Sequence, residues 1–583
     1  MTAQKKKKAI IINKHLVTQI LPYTTHFLLY HLKKQFELYS ESILKRHNTK
    51  LLRLWKQQRF KSPDCLLNLS SKKLTLVEEN ALRCGLKHHI LPQKLDADAV
   101  KLSIEKVVYS AIRDTGITVD HEFRDNVKFC TQSFLSNSKS LCSSKVNQTL
   151  HRTLSLLAKD KTIKICKYDK GTGTVILNSN DYFDKMDQIV NDTSKFQQVE
   201  VFENKDHPVI KKENSVSYYI RKYLKPVVSE ETANNLMPTG SQCGKLYGLC
   251  KVHKSNFPMR PVVSMIGTPE YQLAKYLDNL IKPNIPDTYM LTSTKNFIDR
   301  INSTNVKPND IMVSFDVCSL FTNVPLAETI DIITEYCFSN QAKLIPPVDK
   351  KIFKKLLKLA TGGLFMYNGR LYKQIDGVAM GSPLGPTIAN FFLANLEMEM
   401  FKKTNLIKPT VYLRYVDDVF AVFDCNETLV NFFNFINKLH PNLKFTLERA
   451  NDTLPFLDVE VKIIGDYFET CVYRKKTHTN VLLNYNAMVP KKWKIGLILC
   501  LLNRAWCICS TSELFTTETA KLRKMFFDNN YPIRLFNQIL EKFMANRNVV
   551  TEKIDEVSFR FILKIPYVGQ PSFQFQKKNG YFV

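Results

Sequence analysis

Three aspartates, Asp316, Asp417 and Asp418, stand where the surrounding pattern makes a carboxylate costly. Residues 311–317, Ile-Met-Val-Ser-Phe-Asp-Val, alternate with period two. Ile311, Val313 and Phe315 share one face of a strand, and Met312, Ser314 and Asp316 the other. Asp316 therefore sits near the end of an otherwise apolar strand. A carboxylate buried there needs a cation; a solvated strand-terminal aspartate is the plain alternative. Residues 411–423, Val-Tyr-Leu-Arg-Tyr-Val-Asp-Asp-Val-Phe-Ala-Val-Phe, read as two apolar strands around Asp417-Asp418, where hairpins usually carry Gly or Asn. Adjacent carboxylates repel, and a divalent cation stabilises both in the ionised form. Hard oxygen ligands suit Mg²⁺, which uses one or two carboxylates plus waters and substrate phosphates. Two such ions, about 3.5–4 Å apart and bridged by carboxylates, serve phosphoryl transfer: one activates the attacking hydroxyl, the other steadies the leaving pyrophosphate. Asp316 and Asp417 suit the bridge, with Asp418 supplementing it.

Other elements must place these carboxylates. Between the two acidic segments runs Asp376-Gly-Val-Ala-Met-Gly-Ser-Pro-Leu-Gly-Pro-Thr-Ile-Ala-Asn390. Its glycines let the backbone approach a ligand, and Pro386 suits a helix start before the helical pattern Ile388, Phe391, Phe392, Leu396. The loop reads either as a seat for a template base and a nucleotide or as a structural lead into a core helix. Upstream, Ile163–Ile165 and Thr174–Leu177 predict short strands around Lys170-Gly171-Thr172-Gly173, a tight hairpin rather than a phosphate loop, since no Walker lysine-serine follows. Ser136–Lys145, rich in Ser and Lys, predicts a loop or boundary. Leu454–Ile463 alternates as one strand with Leu457, Val459, Val461 and Ile463 on one face. Ile495, Leu499, Leu502 and Trp506 predict a buried helical stripe, ringed by Lys491, Lys492, Lys494 and Arg504.

The chain has 583 residues, enough for several domains, and a formal net charge of +29. Such an excess points to a polyanionic partner, nucleic acid first. The first 150 or so residues carry basic helical patterns with interleaved aromatics, as around Phe27–Leu32 and Leu51–Trp55, that suit either a nucleic-acid backbone or an ordinary bundle. The 14 cysteines contain no C-x-x-C pair; Cys500, Cys507 and Cys509 read as buried thiols in a reducing compartment. The apolar stretch Ile495–Leu502 is far too short for a membrane span, so no membrane partner is expected. Lys5–Lys8 suits nuclear import or a solvated terminus, giving an expectation of nuclear action after cytoplasmic synthesis.

The order Arg260-Pro-Val-Val-Ser264, Ser314-Phe-Asp-Val-Cys-Ser-Leu-Phe-Thr-Asn-Val-Pro325, Ala379-Met-Gly-Ser-Pro-Leu384, Tyr415-Val-Asp-Asp418 and Leu454-Pro-Phe-Leu-Asp458 resembles the successive motifs of reverse transcriptases. Several variants resemble those of Penelope-like elements: Asp169-Lys170-Gly171, Tyr247-Gly-Leu-Cys-Lys-Val-His-Lys254, the Ala-Met-Gly-Ser-Pro loop and Tyr473-Arg-Lys-Lys-Thr-His-Thr479. The resemblance implies an α+β right-hand polymerase with a helical N-terminal region. It divides the chain into residues 1–155 (helical, with possible RNA binding), 156–300 (fingers), 301–470 (palm), 471–565 (thumb) and 566–583 (the start of a connector).

The resemblance also implies roles. Asp316, Asp417 and Asp418 are expected to hold two Mg²⁺ ions, with Mn²⁺ as a substitute. Phe321 matches an aromatic gate against the 2′ hydroxyl, and Arg260 a contact to the triphosphate, which a guanidinium fork suits. Met380 and Gly381 fall in the nucleotide-binding loop, where many reverse transcriptases have Gln in place of Met380. Lys251, Lys254, Lys491, Lys492 and Arg504 are expected on nucleic acid. Lys444 is either a proton donor to pyrophosphate or a solvent-facing strand lysine. The expected partners are an RNA template, a DNA primer and dNTPs. The alternative is an inactive RNA-binding protein that kept the fold. Relatives of this kind continue into a GIY-YIG nuclease; Ile565-Pro-Tyr-Val-Gly569 resembles the onset of its connector, and with Val583 following soon after, cleavage of nucleic acid is not expected.

Overall fold

The computed structural model describes residues 65–83, 85–86, 89–115, 121–200, 207–402, 408–450, 452–475, 477–546 and 566–578. The basic segments at 5–8, 27–32 and 51–59 lie outside the described residues.

The alternating segments form the central sheet. Strand β7 (Ile311–Val317) lies between β11 (Asp418–Phe423) and β12 (Phe445–Arg449), with β10 (Val411–Tyr415) outside β11, all neighbours antiparallel. Period two sends Val313, Phe315, Val419, Ala421 and Phe423 to one face, against Leu429, Phe432 and Ile436 of the helix Asn426–Ile436. Met312, Leu413, Phe420 and Val422 go to the other, against Phe297 and Ile301 of the helix Thr294–Asn302. The helix Gly385–Lys402 is apolar nearly all round and lies buried between this sheet and the helices Tyr271–Ile281, Leu326–Cys337 and Lys350–Thr361.

Three smaller sheets flank this core. Strands β2 (Ile163–Lys167) and β3 (Thr174–Asn178) form the expected hairpin, and β1 (Leu66–Asn68) runs parallel to β3. A five-stranded sheet has the order β4 (Phe196–Val199), β9 (Arg370–Gln374), β8 (Leu364–Tyr367), β5 (Gly244–Cys250), β6 (Met259–Ser264). The last contains β13 (Thr453–Phe456), β14 (Val459–Ile464) and β15 (Tyr467–Val472). Helices Lys491–Ile508, Ser512–Asp528 and Ile533–Ala545 pack behind it.

Four expectations are corrected. Ser136–Lys145 is not a loop: the helix His121–Cys142 runs through it, its serines bonding back to carbonyls one turn earlier, as Ser138 does to Phe134 at 2.6 Å. Only Ser143-Ser144 breaks the helix, and Ser144 caps the next one, Lys145–Lys159. Leu454–Ile463 is two strands, because Leu457-Asp458 forms a turn without Gly or Asn. The buried stripe of Lys491–Ile508 is Ile498, Leu502, Ala505 and Ile508, while Leu499 and Trp506 are exposed. Leu497, Ile498, Leu499, Leu501 and Leu502 leave the helix apolar on several sides, so periodicity alone does not select its inner face. Cys500 and Cys507 are accordingly exposed, not buried.

The helix Gln570–Lys578 packs on His121–Cys142, with the rings of Phe575 and Phe134 5.6 Å apart and Val568 fully buried. No helix among the described residues is long and apolar enough to cross a membrane.

Candidate active site

Register brings the three aspartates to one end of the central sheet. Asp418 lies directly across from Asp316, and Asp417 occupies the turn that joins β10 to β11. That turn is two residues long, Val416-Asp417, closed by the pair Tyr415 and Asp418. Val416 stands at φ +54°, a conformation costing a β-branched residue roughly 1–2 kcal/mol. The carbonyl of Asp417 accepts from the Val317 amide at 3.1 Å, which ties the turn to β7. No described residue gives the three carboxylates a hydrogen bond or an ion pair. Burial, then the charges of Asp417 and Asp316, pushes the Asp418 carboxyl up to about 6. Burial and Asp417 likewise raise that of Asp316, against the opposing charges of Lys170, Lys254 and Arg260.

A cluster of hard oxygens that repel one another fits a divalent cation. Among the described residues, no three Asp, Glu, His or Cys side chains are gathered closely enough to enclose an ion by themselves. An open site suits Mg²⁺, which completes its shell with water and substrate phosphates.

The turn is held from behind by residues that sequence reasoning missed. Arg414 is 1 % exposed, and its guanidinium makes four hydrogen bonds: to both Glu397 oxygens at 2.6 and 3.0 Å, to Asn390 Oδ1 at 2.9 Å and to the Val416 carbonyl at 3.0 Å. Glu397 also accepts from the Tyr412 hydroxyl at 3.0 Å. A fork so placed fixes the strained residue beside Asp417, and removing one partner of such a buried pair costs about 3–5 kcal/mol. The available signal was an arginine inside an apolar strand, with Asn390 and Glu397 two turns apart on the helix below.

A cleft of about 690 Å³ is lined by Arg260, Phe321, Met380, Gly381, Ser382 and Asp169, among others, and not by the three aspartates themselves. Phe321 sits in the short helix Leu320–Asn323 at the end of β7, and its ring lies under Gly385. The Met380 carbonyl accepts from Val263 at 3.0 Å. Gly381 has φ +130°, and a Cβ there would collide with the Val263 carbonyl oxygen, so only glycine lets the loop pass β6. Arg260 is oriented by Asp169, Nε to Oδ1 2.9 Å, with the Asp169 side chain 2 % exposed. Asp169 thus joins the site, on which the sequence reading had not placed it.

The remaining residues divide. Lys254 acts electrostatically on Asp316, and Lys251 is held below the usual lysine range by burial, then by Arg260 and Lys254. Lys444 is exposed, and its carbonyl accepts from Cys318. Lys491, Lys492 and Arg504 do not line the cleft. The two lysines are exposed at the start of their helix, and Arg504 is tied to Asp458 at 2.6 Å instead of standing open to a strand.

Residues 252–450 match the family of reverse transcriptases (RNA-dependent DNA polymerases), and residues 481–541 match the animal helix-turn-helix domain. The first match contains Arg260, Phe321 and all three aspartates; the chain carries a reverse transcriptase domain on a right-hand polymerase fold and is an RNA-directed DNA polymerase. No curated protein matches it in sequence. Similar solved structures include telomerase from Candida albicans in complex with a fragment of telomeric RNA (10 % identity, 79 % of this chain and 83 % of that one, TM-score 0.42). Apo telomerase from Candida tropicalis gives 10 % identity, 80 % and 83 % coverage and a TM-score of 0.39. The RNA-dependent RNA polymerase of a human picobirnavirus gives 11 %, 70 % and 84 %, and 0.38.

Proposed function

We propose that this RNA-directed DNA polymerase is the reverse transcriptase of a Penelope-like retroelement, extending a primer 3′ end with deoxynucleotides copied from RNA. The observation that carries the site assignment is the register that sets Asp418 across from Asp316, with Asp417 in the adjoining turn. The subtype is supported by the motifs Asp169–Gly171, Tyr247–Lys254, Ala379–Pro383 and Tyr473–Thr479. In this reading residues 156–300 are fingers, 301–470 palm and 471–565 thumb.

Asp316, Asp417 and Asp418 hold the metal ions. Bound there, Mg²⁺ supplies Lewis-acid charge that makes the 3′ hydroxyl a better nucleophile and the pyrophosphate a better leaving group. The chain's own residues set the geometry. Arg260, aimed by Asp169, contacts the triphosphate. The Phe321 ring crowds the position of a 2′ hydroxyl and favours deoxynucleotides. The Met380-Gly381 backbone, pinned to β6, forms a rigid wall for the base. Arg414 keeps the Asp417 turn from relaxing, which preserves the orientation on which rate depends.

The test is primer extension on an RNA template with dNTPs and Mg²⁺, beside D417A and F321A. Extension is expected from the wild type and lost in D417A with primer–template affinity retained. F321A is expected to extend while losing discrimination against ribonucleotides; unchanged discrimination removes Phe321 from the gate. A wild type that binds RNA tightly but never extends would make the chain an inactive RNA-binding protein.

A further inference from the structure

A gate that rejects a hydroxyl must hold its ring to a fraction of an ångström, because the two sugars differ by one oxygen atom. The helix that carries Phe321, Leu320–Asn323, is a single turn and cannot hold itself. It starts from Ser319 at φ +50°, a left-handed conformation that is unfavourable for any residue but glycine. What fixes the turn can be read from its backbone, since each carbonyl taken from water needs a donor.

Five carbonyls run through the turn, from Cys318 to Thr322. Three are satisfied within it: Cys318 accepts from Asn323 Nδ2 at 3.1 Å, Ser319 from the Thr322 amide at 3.1 Å and Leu320 from the Val324 amide at 3.0 Å. The other two take donors from elsewhere in the chain. The Phe321 carbonyl accepts from the Val378 amide at 2.7 Å, and the Thr322 carbonyl from the Lys195 ammonium at 2.9 Å. Lys195 also donates to Asn323 Oδ1 at 3.4 Å. It lies 127 residues before Thr322, between the helix Ser179–Val190 and β4, outside every motif singled out in the sequence.

The two outside donors belong to one brace. The Lys195 carbonyl accepts from the Ile375 amide at 2.8 Å, and Phe196 next to it pairs with Gln374 across β4 and β9. Ile375 leads into Asp376-Gly377-Val378. Asp376 Oδ1 accepts from the Leu326 amide at 3.1 Å, just beyond the Phe321 turn. Gly377, at φ +74°, passes so close that a Cβ would stand 2.8 Å from the Phe321 carbonyl oxygen. Lys195 thus holds the gate turn through its side chain and the segment behind it through its backbone. It is half-buried and is not among the residues that line the cleft, whereas Phe321 is. An ammonium suits this position: it carries three donors on a long stem, and its bonds to oxygen are charge-assisted. Without it the Thr322 carbonyl is left at the open end of a one-turn helix, where the last carbonyls have no partner of their own.

We propose that Lys195 is a positioning residue for sugar selection: it locks the turn that carries Phe321, so that the ring stays where it rejects ribonucleotides. The assignment rests on the gate reading of Phe321 given above.

Incorporation of single deoxy- and ribonucleotides on an RNA template tests this, with KM and kcat for each nucleotide and Tm for each variant. An apolar contact rejects an added hydroxyl by about a hundredfold, so its partial loss in K195M should lower discrimination about tenfold. The loss should come from a higher kcat/KM for the ribonucleotide, with that for the deoxynucleotide within about threefold. K195R keeps a charged donor and should keep most of the discrimination; K195Q, with a neutral one, should fall between. In the F321A background K195M should change discrimination no further, because its effect runs through the ring. A merely structural role would lower kcat/KM for both nucleotides together and leave their ratio alone, and that result overturns the proposal. A K195M effect of full size in F321A also overturns it. An F321A that by itself leaves discrimination unchanged removes the gate reading and this proposal with it, whereas an F321A effect without a K195M effect removes Lys195 alone. Should the wild type not extend, the ratio is read as the Kd of each nucleotide for the full chain on a primer ended by a dideoxynucleotide. A preference for the deoxynucleotide that K195M reduces and K195R keeps supports the lock; no preference, or one that K195M leaves intact, overturns it.

Discussion

Two hairpins of the same design carry aspartates with opposite circumstances. β10 and β11 turn through Val416-Asp417, β13 and β14 through Leu457-Asp458. Each turn opens on an apolar residue at positive φ, +54° and +56°. Asp458 is satisfied within the fold: it accepts from Arg504 Nε and from the Thr294 hydroxyl, both at 2.6 Å. Asp417 receives no such partner among the described residues, and its charge adds to burial in raising the carboxyls of Asp316 and Asp418. Backbone geometry therefore does not distinguish a structural turn from a functional one; the difference is whether the fold neutralises the charge it places there. At Asp458 the charge stabilises the packing of a helix on a sheet. At Asp417 the fold tolerates repulsion, a cost that a bound divalent cation would reverse.

The largest expected contrast is in activity. D417A should lower kcat/KM for nucleotide addition by about 10³-fold or more, since a metal's charge stabilisation is worth several kcal/mol at about 1.4 kcal/mol per decade. D458A should stay within about threefold, and equal losses would erase the distinction between the turns. The next contrast is in metal demand. With the Asp418 carboxyl at about 6, protons compete with the ion, so the Mg²⁺ needed for half-maximal extension should rise about tenfold between pH 7 and pH 5. D458N should keep that rise, and a flat profile in the wild type would detach Asp418 from the metal.

Stability should run the other way. The raised carboxyl of Asp418 means that burial, and then repulsion by Asp417 and Asp316, weighs on the metal-free fold above about pH 6 and is relieved as pH falls towards the unfolded value near 4. D417N removes one of the repelling charges and should raise the Tm of the metal-free protein by about 2 °C. D458N strips a half-buried ion pair and should lower it by about as much. Both shifts in the same direction would mean that Asp417 has a partner after all.

What the sequence made legible was local. Alternation in 311–317 marks β7, because one-residue steps alternate the faces of a strand, and the apolar runs on either side of Asp417-Asp418 mark β10 and β11. The Gly-rich loop and its helix were readable for the same local reason. The pairing of Asp418 with Asp316 spans about a hundred residues, and no local pattern encodes it. Arg414 shows in the sequence only as an arginine inside an apolar strand, and its role needs Glu397 and Asn390 brought under it. The contact of Thr479 with Thr172, 307 residues apart, is likewise invisible to any local pattern. The Leu457-Asp458 turn carries no turn signal, whereas the β10–β11 turn is legible from the two adjacent carboxylates Asp417-Asp418, which place it one residue beyond Val416-Asp417, where the structure has it, with Asp418 already in β11.

Glycine at the two apolar turn positions gives the smallest effect and the finest distinction. Glycine removes the αL penalty of roughly 1–2 kcal/mol but costs about 0.5–1 kcal/mol in chain entropy, and it gives up the packing of a partly buried side chain. For V416G these contributions nearly cancel, and unfolding free energy should move by less than about 1 kcal/mol. For L457G the larger side chain tips the balance, and a loss of about 1 kcal/mol is expected. Activity should show the reverse order. Arg414 holds the Val416 carbonyl, but a glycine there frees the rest of the turn, and Asp417 loses part of its preset orientation. V416G should therefore lower kcat several-fold with little change in stability, while L457G lowers stability with little change in kcat. A V416G variant with full activity would show that the Arg414 contact alone positions the carboxylate, and that the strained valine contributes nothing to it.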